Sequence, residues 1–534
     1  PVQILAAIGL ARGRIIEMQT GEGKTLSAVP AVAWYAMTGR GCHVVTSNPY
    51  LAQRDTEFLR PIYQHLGLSV GCVTPDTPQE DRAGEYACDI TYSTASEIGF
   101  DFLRDRLAAG GSPDRHYGQE DQFGGVHRPF YAAIVDEADS VLIDEASTPL
   151  VIGVEGACSE AETLMFRWAN EMSMGLSKDQ HFKLKPQRMQ APLTRSGAEI
   201  CMLSRKPRGM NGFGSEELLQ QVEQSLVARF VLEKGRDYVV EEDEVMLISG
   251  STGRRLQGRK WQRGLHQAVE LKESMALSSQ TRTSARISIQ ELFSRYQKLG
   301  GMTGTARSAK REFKMYYQAP VVNVPTHLPS KRRCTGVCIF GSADEKRHAI
   351  VAAAKQITAK GRPVLVGTPS VEASELLSKE FQRNGIELQL LNAMMDADES
   401  KIIAGAGQRP VVTVATNMAG RGTDILLSDE VRAAGGLHVI MSEMHDSRRI
   451  DRQLIGRCAR QGDPGTYELF LSAEDSIWQG VRTKMNLRFQ DFQRRQRAIE
   501  SDSSARRRRA FGEWTKQSKK LRRAGLDMYL EVPT

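Results

Sequence analysis

The chain has 534 residues, too many for one hydrophobic core, so roughly two to four domains are expected. Its composition, 40% hydrophobic and 25% charged, is that of a globular protein, and no stretch reaches the ~18 apolar residues of a membrane-spanning helix. Eight scattered cysteines form no CxxC pair, which argues against a zinc site and for reduced thiols. The start carries no cleavable signal pattern. It opens at Pro1 directly before a motif, so it reads as a fragment, with an upstream targeting segment left open. The net charge of +7 is unevenly placed. Residues 482–523 hold fifteen basic and four acidic side chains, a surplus of eleven that leaves the remainder at −4. A nearly neutral body with a basic tail points to nucleic acid, anionic lipid or an acidic face of the body as the tail's partner.

In chain order, residues 1–153 alternate short apolar runs (14–18, 43–46, 131–135) with amphipathic stretches such as 50–66. This is the pattern of a doubly wound parallel sheet. Residues 154–237 break the pattern and read as an inserted domain. Motor-like sequence resumes over 238–326 and ends in Gly301-Met302-Thr303-Gly304-Thr305-Ala306, before a Pro-containing linker. A second α/β unit spans 327–473, with strands expected at 363–368, 411–416, 437–440 and 466–472. Residues 474–534 read as a tail of two basic helices separated near Ser501-Asp502-Ser503-Ser504. In this tail Met485, Phe489, Phe492 and Ile499 recur at helical spacing and are expected to bury on the motor.

Four segments carry chemistry. In Thr20-Gly21-Glu22-Gly23-Lys24-Thr25, a glycine turn between strand and helix aims backbone N–H groups at phosphate oxygens. Lys24 would reach the β and γ phosphates and Thr25 would ligate Mg²⁺. The strict pattern asks for Gly where Met18 stands. In Val135-Asp136-Glu137-Ala138-Asp139, at the end of a strand, Asp136 would hold Mg²⁺ and Glu137 would orient or deprotonate the attacking water. Arg457 and Arg460 lie three apart, so on a helix they share a face and could stabilise charge on a transferring phosphoryl group. The alternative is a solvated basic face. In Ala415–Asp424 the glycines permit close backbone approach, and Asp424 could accept from a ribose hydroxyl or pair with an arginine. Gln3, fifteen residues before Met18, carries an amide able both to donate to and to accept from an adenine edge.

Together these residues resemble the SecA family of protein-export ATPases. The resemblance runs through Val2-Gln3, Glu17–Thr25, Asn48–Asp55, Gly99–Asp105, Val135–Pro149, Gln257–Arg259, Gly264–Glu270, Gly301–Ala306, Ala415–Asp424 and Ser447–Asp463. Family members also have Met at the position of Met18. The resemblance implies two RecA-like, helicase superfamily 2 type lobes, with lobe 1 at 1–153 plus 238–326 and lobe 2 at 327–473. It implies a substrate clamp at 154–237 and a short helical tail at 474–534. Gln3, Gly21, Glu22, Gly23, Lys24, Thr25 and Asp424 would bind ATP, Thr25 and Asp136 would serve Mg²⁺, and Arg457 and Arg460 would be arginine fingers. The implied partners are unfolded preprotein, a SecYEG-type channel and an anionic phospholipid surface, with the protein cytoplasmic and peripheral at the inner face of the membrane. A nucleic-acid helicase or translocase with the same motor is the alternative, disfavoured by the neutral body. The sequence departs from the family at Ile248–Arg254, which lacks an acidic pair, and at Ile455, where Arg is usual. No counterpart of the helical wing, two-helix finger or zinc tail is read.

Overall fold

The computed structural model describes all residues except 110–124, 147, 157, 186–188, 211, 235–236, 242–243, 249–254, 257–260, 262–263, 279, 392–404, 409, 417–424, 479–486, 524–528 and 530–534. The chain divides into two compact units, Pro1–Val151 with Ala285–Thr534, and Ile152–Ser284.

The larger unit contains two parallel sheets. The first has seven strands in the order Val321–Asn323, Ile15–Glu17, Lys298–Thr303, Ala132–Asp136, Cys42–Thr46, Ile90–Thr94 and Val70–Cys72. All its pairings are parallel. Short uninterrupted runs such as Cys42–Thr46 are buried on both faces, as strands covered by helices must be. The helix Pro49–His65 shows how sequence sets an element. Asn48 caps it, its side chain accepting from the Leu51 N–H at 2.8 Å, and Pro49 occupies a first-turn position where no N–H is needed. Leu51, Ala52, Leu59 and Tyr63 bury one face against the sheet.

The second sheet has six parallel strands in the order Lys331–Phe340, Pro464–Ser472, Leu437–Met441, Val364–Thr368, Val412–Thr416 and Leu388–Leu391. The α/β, two-lobed RecA-like architecture expected from the sequence is therefore present. The tail differs from its expectation. In place of two helices, one continuous helix runs from Phe489 to Arg523. Phe492 is fully buried in the second lobe's core, and Phe489 and Ile499 pack beside it. Met485 lies outside the described residues.

The smaller unit, Ile152–Ser284, extends past the expected insert boundary at 237. The apolar runs from Tyr238 and from Glu244 do not rejoin the first sheet. They form an antiparallel hairpin, Tyr238–Glu241 with Glu244–Ile248, in a small sheet of their own. Tyr238, Val245, Leu265, Ala268 and Val269 share one core with Phe166, Trp168 and Val222.

Two buried histidines give the first lobe a predictable acid sensitivity. His43 Nδ1 lies 2.6 Å from the Tyr296 hydroxyl, and His127 Nε2 donates to the Ile98 carbonyl (3.1 Å). Burial, reinforced by His127 and Arg128, lowers His43 to about 3, and burial lowers His127 to about 4. Below the ordinary value of 6.5 the unfolded chain takes up protons that the folded lobe refuses, so this stability is present above pH 6.5 and lost as pH falls toward 4. The expected loss is about 2 kcal/mol per histidine at pH 5. Hydrogen exchange of Cys42–Thr46 and Ile90–Thr94 at pH 7.5 and 5 measures it. His43→Asn should roughly halve the difference, and an unchanged pH response in that variant would contradict the assignment.

Candidate functional site

The phosphate loop begins where the strand Ile15–Glu17 ends. Met18 is buried in the first lobe's core, its N–H donating to the Thr303 carbonyl (2.9 Å) and its sulfur accepting from Ser27 Oγ at 3.8 Å. An apolar anchor thus occupies a position where other phosphate loops use Gly. Gly21 and Gly23 have φ of 91° and 82°, the left-handed region that side chains disfavour. A Cβ on Gly23 would lie 2.5 Å from Gln3 Nε2, which places that amide against the loop. Gly23 caps the helix Lys24–Tyr35, whose first-turn N–H groups and positive dipole end face the loop. Thr25 follows, half-buried, in that first turn. The Glu22 carboxylate has a partner in the linker between the lobes. It accepts from the His327 N–H at 2.9 Å and so holds the inter-lobe linker.

The strand Ala132–Asp136 delivers the two carboxylates. Glu137 has a left-handed φ of 47°, and its N–H donates to Asp136 Oδ1 at 2.9 Å. Its Oε1 lies 2.7 Å from Lys24 Nζ, both side chains being 9% exposed. Burial opposes the charge on Lys24, but Glu137, Asp136 and Asp139 more than offset it and raise the ammonium above its ordinary value. Asp136 is pushed up to about 6, first by burial and then by Glu137 and Asp55, against the pull of Lys24.

The second lobe reaches this loop through a turn. The helix Arg448–Ile455 ends before either arginine, and Ala459 and Gln461 have φ of 54° and 50°. Arg457 and Arg460 are therefore not on a shared helical face, which corrects the expectation from their spacing. The i,i+3 rule fails because the helix ends at Ile455 and the left-handed Ala459, between the two arginines, takes the chain out of helical geometry. A Cβ on Gly21 would lie 3.2 Å from Arg460 Cβ, and Gln461 Nε2 donates to the Gly21 carbonyl at 2.9 Å. Arg460 is 7% exposed and donates from Nε to the Gly456 carbonyl (3.0 Å), and Arg457 is half-buried in the same turn. Asp424 lies outside the described residues, which resume at Ile425.

Sequence reasoning did not single out a second set of residues that joins the lobes. Asp139, fully buried, accepts from Thr303 Oγ1 (2.6 Å), from Thr305 Oγ1 and, across the cleft, from Gln453 Nε2 at 3.0 Å. Arg449, on the helix that carries Gln453, pairs with Asp144 of the first lobe. The signal available was local: two Thr hydroxyls in Thr303-Gly304-Thr305, beside a conspicuously acidic Asp136–Asp139 run. Spacing alone does not say that they meet.

Two parallel-sheet lobes, a phosphate loop with paired acids on one and an arginine turn seated on that loop from the other, define a two-lobed ATP-hydrolysing motor of RecA-like type. The SecA DEAD-like domain matches residues 1–314, and the SecA P-loop domain matches 329–433 and 428–488. The chain belongs to the SecA family. It is 43% identical over 498 residues to "Protein translocase subunit SecA 2" of Rhodopirellula baltica, a match covering 90% of this chain and 76% of that protein. It is 42% identical over 476 residues to "Protein translocase subunit SecA" of Nitratidesulfovibrio vulgaris strain DP4, covering 89% of this chain and 56% of that protein. The chain thus spans three quarters of the first relative and a little over half of the second. Among solved structures, S. cerevisiae Dbp5 bound to RNA and ADP BeF3 is similar at a TM-score of 0.44 and 11% identity, covering 94% of this chain and 92% of that one.

Proposed function

We propose that this chain couples ATP binding and hydrolysis to the movement of unfolded preprotein through a SecYEG-type channel, working at the inner face of the membrane. The observation that carries the motor half is the seating of the Arg460–Gln461 turn on Gly21, beside the Lys24–Glu137 pair. The transport half rests on relatives named as translocase subunits.

In this reading Gln3 contacts the adenine, and the loop from Gly21 to Thr25 surrounds the phosphates. Lys24 exchanges Glu137 for phosphate oxygens, which frees that carboxylate to orient and deprotonate water. The oxygens of Asp136, Glu137 and Thr25 are hard donors of the kind Mg²⁺ takes alongside phosphates and water, so the residues present fit that ion. Bound there, Mg²⁺ would neutralise phosphate charge, with Thr25 and Asp136 holding it. Arg457 and Arg460 face the charge that develops on the transferring group, and Asp424 completes the nucleotide contacts from lobe 2. The unit Ile152–Ser284 is the part that grips the polypeptide.

The tail supplies an attachment surface. Arg494, Arg497, Arg508, Arg509, Lys516 and Lys520 are exposed and recur on the side of the long helix opposite Phe492, Gln496 and Arg507. Against an anionic phospholipid surface each contributes about 1 kcal/mol. No helix among the described residues is long and apolar enough to cross a membrane.

The test is ATP turnover with four additions in parallel: a urea-unfolded secretory precursor, the same precursor with channel-containing inverted vesicles, anionic liposomes, and single-stranded RNA. Turnover should rise several-fold with precursor and most with precursor plus vesicles. Stimulation by RNA alone would replace export with a nucleic-acid track.

A further inference from the structure

The unit Ile152–Ser284 is unevenly charged. Residues 178–208 hold eight basic and two acidic side chains, whereas the rest of the unit holds eleven basic and fifteen acidic ones. The basic stretch also leaves large apolar side chains in water: Leu203 is 87% exposed, Met189 44% and Ile200 41%. A single exposed aliphatic residue is ordinary. Several of them interleaved with cations along one segment mark a surface that meets a partner.

The stretch opens with a small hairpin. Phe182 pairs with Leu193 and Lys185 with Gln190, and the Lys183 N–H donates to the Pro192 carbonyl at 3.0 Å. Side chains alternate along such a pair, so Phe182 and Leu184 enter the unit's core while Lys183 and Lys185 are exposed. The helix Arg195–Leu203 is laid on the turn that precedes the hairpin. Thr194 donates from Oγ1 to the Gln180 carbonyl (2.8 Å) and from its N–H to the His181 carbonyl (2.8 Å), and a Cβ on Gly197 would lie 2.0 Å from the His181 oxygen. Gly197 and Cys201 are buried, which leaves Arg195, Glu199, Ile200 and Leu203 on the outer arc. Arg195 and Glu199 pair at 3.0 Å and neutralise one another. Past the helix, Lys206 Nζ donates to the Met202 carbonyl (3.2 Å), Arg205 and Arg208 stand exposed, and Met210 returns to the core.

We propose that this surface, from Lys183 and Lys185 through Ile200 and Leu203 to Arg205 and Arg208, is a docking face for an anionic phospholipid bilayer, with Leu203 as the side chain that enters it. This rests on the reading that the protein works at an anionic membrane, and it puts a contact on the polypeptide-gripping unit in addition to the one on the tail. The partner must accept cations and bare aliphatic groups side by side. A bilayer interface does so: lipid phosphates meet the guanidinium and ammonium groups, while the Leu203 side chain sinks to the acyl boundary below them. A nucleic-acid strand fits worse, because strands bound without sequence preference stack their bases on aromatic rings. The one phenyl, phenol or indole ring in residues 176–210 is Phe182, and it is buried. Two weak contacts on one chain reinforce each other, so the face and the tail together hold the protein far better than either alone.

The experiment measures, by flotation, partition of the full chain into vesicles of phosphatidylcholine with phosphatidylglycerol and into vesicles of phosphatidylcholine alone. The parent protein should float with the anionic vesicles only. Arg205→Gln with Arg208→Gln should lower that partition about tenfold, and Leu203→Ser about fivefold, while ATP turnover without vesicles stays at the parent rate. Leu203→Trp reads insertion directly, since brominated phosphatidylcholine in the anionic vesicles should quench its emission beyond the quenching seen in the parent. Neutralising the tail by Arg508→Gln with Arg509→Gln should lower partition on its own, and its loss should multiply with that of the face. Parent-level partition in both face variants, or no added quenching in Leu203→Trp, overturns the proposal and leaves the membrane reading standing. Face variants that bind protein-free anionic vesicles normally but lose single-stranded RNA or channel-containing vesicles would give the surface to another anionic partner, and overturn it equally. A parent protein that does not float at all removes the membrane reading itself, and the face with it.

Discussion

Glu137→Gln is expected to lower ATP turnover by roughly a thousandfold while ATP still binds. The substitution keeps the size and shape of the side chain at the end of the strand Ala132–Asp136, and with it the left-handed backbone at φ 47° that aims the group at the cleft. What it removes is the charge. A neutral amide cannot take a proton from water, so hydrolysis stops at a step that binding has already passed. Binding should be preserved or strengthened, because Lys24 loses the carboxylate held 2.7 Å away, and phosphate then faces less competition for its ammonium. Lys24→Ala differs in kind, since it removes a phosphate contact and should lose both binding and turnover. Phosphate release and filter binding on the same preparation separate the two. Turnover within tenfold of the parent protein in Glu137→Gln would remove Glu137 from the chemistry.

Arg460→Ala is expected to reduce kcat by about a thousandfold, the scale on which an arginine contributes to phosphoryl transfer, with KM changed much less. Its stem packs on Gly21 and its Nε is tied to the Gly456 carbonyl, so the guanidinium is pre-placed. Pre-placement matters because a planar donor fork that needs no reordering loses little entropy when charge develops beside it. Arg460→Lys should recover only a small part, since a point charge on a flexible stem cannot reproduce the fork. Equal losses in kcat and in affinity for a non-hydrolysable ATP analogue would mean that Arg460 only closes the cleft. An unchanged kcat would remove it from catalysis.

Much of this was legible because it is written in local patterns. Runs such as Val364–Thr368 and Val412–Thr416 are short, apolar and bounded by turn residues, and only a buried parallel strand suits them. The glycine turn before Lys24 and the acids after an apolar run are also local, and the fold brings them to one cleft. What the sequence hid depends on long-range packing. Ser501-Asp502-Ser503-Ser504 are poor helix formers and read as a break. The helix continues through them because Phe492, Gln496, Arg507 and Phe511 lie on one face and are gripped at both ends, while Asp502 and Arg506 add a local pair at 3.1 Å. The segment from Tyr238, read as resumed motor sequence, finds its partner in its own hairpin instead. The arginines obey helical spacing but sit in a turn, because the helix ends at Ile455 and Ala459, between them, is left-handed. The Asp139–Gln453 bond joins residues 314 apart, a meeting no window of sequence can display.

The position of Lys298–Thr303 has a consequence for how the molecule is born. This strand lies between Ile15–Glu17 and Ala132–Asp136, yet it is made only after the whole of Ile152–Ser284. At about 5–20 residues per second, a ribosome needs roughly ten to thirty seconds to go from Asp136 to Lys298. Until then the first lobe has a gap at its centre, with two unpaired strand edges and no Thr303 or Thr305 to meet Asp139. The excursion domain can fold on its own core during that interval, while the sheet that hosts ATP waits. Nucleotide-binding competence should therefore arrive late and abruptly in synthesis, and the nascent first lobe is the stage most exposed to mispairing and most in need of a chaperone.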